Sequence, residues 1–428
     1  MDVEVVPGTV AGRIRPPSSK SATHRALMLG ALGGGGPVHR PLRSADTRAT
    51  AGLIETLGAA VDLDGEPAVV RAPRGGRLRS APGSIDCANS GTTLRLGLGL
   101  AATIDGRSVL TGDESLRRRP NAPLLEALDR LGARTAGTGD IGAAPVTVDG
   151  PIRGGRAAID ATASSQYLSS LLLAATGCPE RVEIEATGPV ASRPYLSLTL
   201  RALSIADVRV DEAEDRFVVP AGSTPRVPST GFEIGIDPTA ASYLLAAGAL
   251  AGDPEVVVTG LDGGLRRPLS ARDLLDAMGI DVEATRDALT AGRVTPMSAT
   301  IDLGETPDLL PTAAVLAGVA DGTSRLVNCP QARHKETDRI ATTAALLRAL
   351  DVPVTERPDG LVIEGRPDGF AGGTVESEGD HRIAMAGAIA GLAANAPVRI
   401  RDSAVVDVSY PAFFEALETL GADVRPAD

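Results

Sequence analysis

The sequence predicts an α/β protein built from repeated units. A leucine-rich helical pattern that ends in a turn and a valine-containing strand occurs six times, at spacings of 70 to 75 residues. Leucines at helical spacing followed by alternating apolar residues are typical of an amphipathic helix that leads into a strand. The six copies lie at Leu53–Val61, Leu124–Thr135, Leu200–Val208, Leu274–Val282, Leu346–Val354 and Phe413–Val424.

A second series of helices, rich in alanine, alternates with the first. These helices are apolar on nearly every face, which is typical of helices buried in a core. They are predicted to begin near His24, Thr92, Ser165, Ala240, Pro311 and His381. Each begins at a polar cluster, and these clusters are Ser19–Ser21, Asn89–Thr92, Ser164–Gln166, Asp237–Thr239, Thr306–Asp308 and Asp380–Arg382.

The length predicts two domains, because one hydrophobic core seldom serves 428 residues. Six repeats then give three repeats per domain. We expect the chain to cross between domains near Ser18 and near Gly235. One domain would contain residues 1–17 and 235–428, and the other would be inserted between them at residues 18–234. If the buried helices of each domain run parallel, their N-termini meet on one face, and an active site is expected in a cleft between two such faces.

Composition argues against several classes of protein. The net charge of −12 argues against binding to nucleic acids or to anionic membranes. The longest apolar runs, such as Leu94–Ile104, are too short to span a bilayer and contain Arg95. The N-terminus lacks a signal-peptide pattern, and three widely spaced cysteines predict neither a disulfide framework nor a zinc site, so we expect a cytoplasmic protein. Because the sequence has no Walker A loop and no HExxH motif, we expect neither a metal nor a cofactor.

Lysine is almost absent from the chain. Of 42 basic residues only Lys20 and Lys335 are lysines. An ammonium group changes its pKa readily when desolvated, whereas a guanidinium group stays protonated, so the two residue types are not interchangeable. Both lysines precede helices in polar or charged stretches, where free backbone N–H groups suit a phosphate or a carboxylate. One such stretch could be a capped surface helix, but two of them favour a binding site.

Further polar positions are candidates for ligand binding. Gly91 lies at a helix entrance, where the backbone can approach a ligand closely. The run Arg117–Arg119 crowds three cations before a helix. The hydroxyl and amide groups of Ser164–Gln166 and Ser192–Tyr195 suit a polyhydroxylated, phosphorylated ligand. Structural capping and solvated surface charge are the alternatives for all of these positions.

Two carboxylates and two arginines in the C-terminal half are candidates for chemistry. Asp308 at a helix start and Glu336 beside Lys335 form a candidate acid–base pair. Arg339 and Arg382 offer planar donors that match a carboxylate or a phosphate. An aspartate at a helix start can also be a simple cap.

Taken in order over the whole chain, these motifs resemble the enolpyruvyl transferases, and specifically the EPSP synthase (3-phosphoshikimate 1-carboxyvinyltransferase) family. The resemblance rests on Ser19–Ser21 with Arg25, Asn89–Thr92, Arg119-Pro120, Ser164–Gln166, Pro307-Asp308, Lys335–Arg339 and Asp380–Arg382. It implies an inside-out α/β barrel of two domains with three repeats each, which close on the substrates. It also implies a monomeric, cytoplasmic transferase.

The reaction that the resemblance implies belongs to the shikimate pathway, which leads to chorismate and the aromatic amino acids. The carboxyvinyl (enolpyruvyl) group of phosphoenolpyruvate is transferred to the 5-hydroxyl of shikimate 3-phosphate by addition and elimination. The products are 5-enolpyruvylshikimate 3-phosphate and phosphate.

Roles are carried over from the family position by position. Asp308 would take the proton from the 5-hydroxyl, Glu336 would deliver and recover the C3 proton, and Lys20 would lie between the substrates. The implied shikimate 3-phosphate residues are Lys20, Ser21, Arg25, Ser164, Ser165, Gln166, Ser192, Tyr195, Asp308, Gln331 and Lys335. The implied phosphoenolpyruvate residues are Lys20, Gly91, Arg119, Gln166, Arg339 and Arg382.

Three positions depart from the family pattern. Ser18 occupies a position where a glycine is common, and Gln331 one where an asparagine is common. Val408 occupies a position where many members have a lysine. The last change removes a cation from the phosphoenolpyruvate side, so it concerns the affinity for this substrate and for its mimic glyphosate more than the reaction.

Three other functions agree less well with the sequence. The related enzyme that acts on UDP-N-acetylglucosamine has a cysteine in the loop before its Arg-Pro pair, and residues 111–119 contain none. RNA 3′-phosphate cyclisation would require nucleotide chemistry and a basic surface. In a non-catalytic repeat scaffold, the only two lysines would have no reason to occur in these motifs.

Overall fold

The computed structural model describes residues 1–261, 263–268 and 270–427. Asp262, Leu269 and Asp428, which belong to the predicted discontinuous domain, lie outside the described residues. The helices are α1 (Lys20–Leu32), α2 (Ala45–Thr56), α3 (Gly91–Ala101), α4 (Ala122–Arg130), α5 (Ser165–Ala174), α6 (Arg193–Ile205), α7 (Pro238–Ala251), α8 (Ser270–Ala277), α9 (Leu310–Gly318), α10 (Arg339–Ala349), α11 (His381–Leu392) and α12 (Phe413–Thr419). Short 3-10 turns occur at Leu116–Arg118, Pro307–Leu309, Pro330–His334 and Ser403–Val408.

The strands are short and distributed along the whole chain. They are β1 (Asp2–Val6), β2 (Val10–Ile14), β3 (Gly35–His39), β4 (Ala60–Asp62), β5 (Ala68–Arg71), β6 (Ser84–Asp86), β7 (Gly106–Thr111), β8 (Arg134–Thr138), β9 (Ala143–Gly150), β10 (Gly155–Asp160), β11 (Val182–Thr187), β12 (Asp211–Ala213), β13 (Arg216–Val219), β14 (Phe232–Glu233), β15 (Gly252–Thr259), β16 (Glu283–Ala284), β17 (Ala288–Gly292), β18 (Thr300–Asp302), β19 (Thr323–Val327), β20 (Val354–Arg357), β21 (Gly360–Glu364), β22 (Gly373–Glu376), β23 (Val398–Arg401) and β24 (Asp423–Ala427).

Contacts between residues divide the chain into two units. The terminal unit contains Met1–Pro17, Ile236–Gly263 and Pro268–Asp428. The inserted unit contains Ser18–Gly235 together with the short segment Gly264–Arg267. Each unit has its own hydrophobic core.

Six four-stranded sheets of one plan are present in the described residues. In each sheet a parallel pair is followed by two antiparallel neighbours, as in the order β6-β7-β9-β8. A parallel pair requires a crossover connection, which a buried helix such as α3 supplies. The α/β class and the six repeats predicted from the sequence are therefore confirmed.

Three sheets take a strand from a distant part of the sequence. In the inserted unit, β14 lies parallel to β3, with Phe232 opposite Val38. In the terminal unit, β2 lies parallel to β15, and β1 lies between β23 and β24. The repeats are thus complete in space although three of them are interrupted in sequence.

The alanine-rich helices are buried as predicted. Every residue of α7, α9 and α11 is buried. In the inserted unit, Gly99 allows α3 and α5 to pack closely. A Cβ atom at this position would overlap the carbonyl oxygen of Ser170. The first turns of α3 and α5 also meet, since Nε2 of Gln166 donates to the hydroxyl of Thr92 at 3.0 Å.

Among the described residues, no helix combines the length and apolarity that crossing a membrane requires.

Candidate active site

The start of α1 holds the first of the two lysines. Ser19 caps the helix, and its hydroxyl accepts a hydrogen bond from the Ala22 N–H at 3.4 Å. Lys20 is the first helical residue, and its Nζ lies 2.7 Å from Oδ2 of Asp46, in the first turn of α2. Both side chains are only about one-tenth exposed (12% and 10%). The sequence analysis predicted Lys20 but missed Asp46, whose only sequence signal was an acidic residue just after Ser44.

A buried polar chain lies behind Lys20. Nδ1 of His24 lies 2.7 Å from the hydroxyl of Thr50, which lies 2.7 Å from the hydroxyl of Thr93. The Thr93 hydroxyl in turn donates to Oγ of Ser90 at 2.8 Å. All four side chains are fully buried. The chain therefore ties together the N-terminal halves of α1, α2 and α3.

His24 is neutral in this environment. Burial, and then the positive charges of Lys20 and Arg25, hold the pKa of His24 well below its ordinary value of 6.5. In the unfolded chain the imidazole takes up a proton below about pH 6.5. The folded protein binds fewer protons in that range, so its stability falls as the pH falls.

We expect His24→Asn to remove this part of the pH dependence. For the unchanged protein, the histidine contributes a loss of at most about 1.4 kcal/mol in the free energy of unfolding per pH unit below about pH 6.5. Urea unfolding at pH 7.5, 6.0 and 5.0 measures this slope. Equal slopes in His24→Asn and the unchanged protein would contradict the assignment.

Arg25 links three helices of the inserted unit. Its Nε donates to the hydroxyl of Thr199 at 2.7 Å, and its Nη2 donates to Oγ of Ser169 at 3.2 Å. The carbonyl oxygens of Ser21 and Tyr195 accept from Nη1 and Nη2 at 2.9 and 3.1 Å. Burial lowers the pKa of Arg25 to about 10, with opposing contributions from Tyr195, which raises it, and Arg267, which lowers it. The predicted residues Ser21, Arg25 and Tyr195 are therefore neighbours.

Gln166 is held in place by a residue that the sequence analysis did not select. Arg95 donates from Nη1 to Oε1 of Gln166 at 2.9 Å and to Oγ of Ser164 at 3.4 Å. The amide Nε2 of Gln166 donates to the Thr92 hydroxyl at 3.0 Å. Arg95 also lies over the ring of Tyr167, 5.2 Å from its centroid. A lone arginine in an apolar helix was the available signal, because such a charge needs polar partners when it is buried.

Gly91 and Arg119 lie against each other. A Cβ atom on Gly91 would lie 2.9 Å from Nη1 of Arg119, so glycine leaves space for the guanidinium at the start of α3. Arg119 donates to Oδ1 of Asn89 at 2.7 Å and is 8% exposed. Its neighbours Arg117 and Arg118 are exposed, so the surface-charge interpretation holds for those two residues.

The predicted serines lie at helix starts in the inserted unit. Ser164 caps α5 by accepting a hydrogen bond from the Gln166 N–H at 3.2 Å, and Ser165 is buried beside it. Ser192 precedes α6 with φ at 54°, a left-handed conformation that is uncommon for residues other than glycine. Such strain is often found where a side chain must be held for a ligand.

In the terminal unit, Arg339 is enclosed by three carboxylates. It is fully buried and donates to Oδ1 of Asp308 at 2.8 Å and to Oδ2 of Asp380 at 2.9 Å, and it also contacts Glu336. Burial by itself would lower the pKa of Arg339, but the carboxylates outweigh it and raise the pKa above its ordinary value. The guanidinium is therefore permanently charged.

Asp308 is shared by three cations. Besides Arg339, the Nζ of Lys335 lies 3.7 Å from Oδ1, and Nη2 of Arg382 lies 3.5 Å from Oδ2. Burial lowers the pKa of Lys335, an effect that Asp308 opposes and that the charges of Arg339 and Arg382 reinforce. The sequence-predicted acid–base residues of this unit thus lie in one cluster.

Asp380 was placed in a polar cluster by the sequence analysis but was not selected for the site. Its Oδ1 accepts from the Arg382 N–H at 2.9 Å and caps α11, while its Oδ2 accepts from Arg339 and from the Thr337 hydroxyl. It is fully buried. One carboxylate therefore fixes both the helix start and the arginine.

Two positions that depart from the family pattern have ordinary surroundings. Gln331 is 8% exposed and donates from Nε2 to the carbonyl oxygen of Gly304 at 2.9 Å. Val408 is half-buried at the end of a 3-10 turn.

The cysteines are unsuited to nucleophilic chemistry. Cys87, Cys178 and Cys329 are buried free thiols, and burial raises their pKa to about 12, 11 and 12.

Within the described part of the chain, no group of three or more His, Cys, Asp or Glu side chains is arranged to hold a metal ion.

The comparisons with known proteins identify the family. The model of the EPSP synthase (3-phosphoshikimate 1-carboxyvinyltransferase) family matches residues 6–417. This chain belongs to the EPSP synthase family. A 3-phosphoshikimate 1-carboxyvinyltransferase from Natronomonas pharaonis is 43% identical and one from Halorubrum lacusprofundi is 41% identical, each over 99% of both chains. The solved EPSP synthase of Acinetobacter baumannii has 26% identity and a TM-score of 0.82, and the match covers 99% of this chain and 100% of that one.

The residues that the sequence predicted for a binding site form one group in each unit. The inserted unit contains clustered cations and hydroxyls around Lys20, Arg25 and Gln166. The terminal unit contains a cluster of carboxylates and cations around Asp308.

Proposed function

We propose that this chain transfers the carboxyvinyl group of phosphoenolpyruvate to the 5-hydroxyl of shikimate 3-phosphate. The products are 5-enolpyruvylshikimate 3-phosphate and phosphate. The proposal depends on the carboxylate of Asp308, which lies among three cations. It also depends on the match to the EPSP synthase family, which covers residues 6–417. The resemblance further supports a monomer in the cytoplasm that uses no cofactor.

Charge compensation is the first task of the proposed site. The two substrates bring about six negative charges near neutral pH. Preorganised cations reduce the repulsion between them and cost no rearrangement during the reaction. For shikimate 3-phosphate we assign Lys20, Ser21, Arg25, Ser164, Ser165, Gln166, Ser192, Tyr195, Asp308, Gln331 and Lys335. For phosphoenolpyruvate we assign Lys20, Gly91, Arg119, Gln166, Arg339 and Arg382.

The addition step requires one base and one acid. Asp308 takes the proton of the 5-hydroxyl while the hydroxyl oxygen attacks C2 of phosphoenolpyruvate. Glu336 delivers a proton to C3. C3 thereby becomes a methyl group, and C2 becomes a tetrahedral carbon. Asp308 and Glu336 both contact Arg339, so the two carboxylates lie in one cluster, as a shared reaction requires.

The elimination step reverses the proton transfer at C3. Glu336 recovers a proton from the methyl group, the C2–O bond to phosphate breaks, and the C2–C3 double bond forms again. Phosphate leaves with the proton that Asp308 took from the 5-hydroxyl, and the ether bond to the shikimate ring remains. Arginine donors stabilise the charge that develops on the leaving phosphate.

Phosphate release tests the proposal. With both substrates present, we expect phosphate and 5-enolpyruvylshikimate 3-phosphate to form in equal amounts, measured by a colorimetric phosphate assay and by mass spectrometry. Omitting either substrate should abolish release. Release with UDP-N-acetylglucosamine in place of shikimate 3-phosphate would favour the related enzyme instead. No release with either acceptor would favour a non-catalytic scaffold.

A further inference from the structure

The segment Gly264–Arg267 lies beside the start of α1. It belongs to the inserted unit, although the residues on both sides of it in sequence belong to the terminal unit. The Leu265 N–H donates to the carbonyl oxygen of Glu233 at 2.7 Å, and the Gly235 N–H donates to that of Leu265 at 3.2 Å. Gly235 in turn accepts from the N–H of Ser19 at 2.8 Å. Two backbone hydrogen bonds therefore connect this segment to the residue that caps the Lys20 helix.

The segment carries a buried arginine next to a predicted substrate residue. Arg267 is 4% exposed, and its guanidinium carbon lies 3.9 Å from the centroid of the Tyr195 ring. This distance is well inside the range of a cation–π contact. The carbonyl oxygen of Tyr195 accepts from Nη2 of Arg25 at 3.1 Å. Arg267, Tyr195 and Arg25 therefore form one continuous group.

The electrostatics of this group favour an anion. Arg25 is 1% exposed, and among the described residues it donates to hydroxyl and carbonyl oxygens, which carry no net charge. Burial is the main cause that lowers the pKa of Arg25; Tyr195 raises this pKa, and the charge of Arg267 has a smaller lowering effect. Two like charges in a region of low dielectric repel each other. A bound anion would relieve this repulsion.

The shape of a guanidinium allows both contacts at once. Its flat face stacks on an aromatic ring, while its N–H donors point outward in the plane. Stacking on Tyr195 therefore fixes the plane in which the donors of Arg267 lie. A lysine at this position would keep the charge but lose the planar donors.

We propose that Arg267 is a further binding residue for shikimate 3-phosphate and contacts one of its anionic groups beside Tyr195 and Arg25. The proposal rests on the proposed function and adds a residue that neither the sequence motifs nor the family resemblance supplied. Its chemistry is that of an arginine fork that binds a phosphate ester or a carboxylate.

Steady-state kinetics and calorimetry of Arg267→Gln test this assignment. We expect the KM and the Kd for shikimate 3-phosphate to rise at least about tenfold, because a charge-assisted hydrogen bond is lost. The KM for phosphoenolpyruvate should change less than about twofold. Arg267→Lys should recover part of the affinity. Arg201→Gln, at an exposed arginine of α6, is the matched control and should behave like the unchanged protein.

Binding of shikimate, which has the carboxylate but no phosphate, separates the two anionic groups. A loss of affinity for shikimate 3-phosphate alone assigns Arg267 to the phosphate. An equal loss for both ligands assigns it to the carboxylate. An unchanged Kd for shikimate 3-phosphate overturns the proposal. So does a lower melting temperature with equal changes in both KM values, since that pattern indicates a purely structural role.

Failure of this inference can be distinguished from failure of the proposed function. If the unchanged protein releases phosphate from the two substrates and Arg267→Gln does so with the same KM values, only the inference fails. If the unchanged protein releases none, the proposed function itself fails.

Discussion

Replacing Asp308 by asparagine is expected to lower kcat for phosphate release by about 10²- to 10⁴-fold, the usual contribution of a general base. The amide has almost the size of the carboxylate and can still accept a hydrogen bond from Arg339, but it cannot take the proton of the 5-hydroxyl. The removed charge also leaves Lys335, Arg339 and Arg382 with one counter-charge fewer. Initial rates at saturating concentrations of both substrates provide the measurement.

Asp368→Asn is the matched control for this variant. Asp368 is an exposed carboxylate of the same unit and lies outside the proposed site. Its variant should keep the rate of the unchanged protein. Urea unfolding of both variants shows whether the fold is intact. An Asp308→Asn protein with full activity would remove Asp308 from the mechanism.

Replacing Arg339 by leucine is expected to abolish turnover and to lower the free energy of unfolding by about 3–5 kcal/mol, the usual cost of breaking a buried ion pair. The reason is that Asp308, Glu336 and Asp380 would lose their shared cation. Asp380 is fully buried, so water cannot replace the guanidinium there. Denaturant unfolding at pH 7 measures the loss.

Arg348→Leu is the control for Arg339→Leu because it lies on the same helix. Its side chain is 50% exposed and pairs with Glu356 on the surface. An exposed ion pair contributes about 0–1 kcal/mol, so this variant should be nearly as stable as the unchanged protein. Equal losses in the two variants would mean that the three-carboxylate cluster adds nothing to stability.

The candidate site was predictable from the sequence where its residues lie at helix starts. Lys20, Gly91, Ser164 and Asp308 follow or form capping patterns, and capping depends on a few neighbouring residues. The scarcity of lysine pointed to Lys20 in addition. The assignment of residues to one substrate or the other came from the family resemblance and stays a prediction.

Partners that lie far apart in sequence were not predictable. Asp46 pairs with Lys20 across 26 positions, and Arg95 meets Gln166 across 71. Arg267 meets Tyr195 only because backbone hydrogen bonds hold its segment beside Gly235. Local patterns carry no information about such pairs, since packing between helices and strands creates them.

The sequence by itself determined the α/β class, the six repeats and the polar start of each buried helix, because periodicity and capping act over a few residues. The expected active site between two domains stays a prediction. Only the tertiary structure decided that β14 completes the sheet of β3 and that three carboxylates enclose Arg339. Both outcomes depend on long-range packing, in which backbone hydrogen bonds and buried charges must find partners wherever the folded chain supplies them.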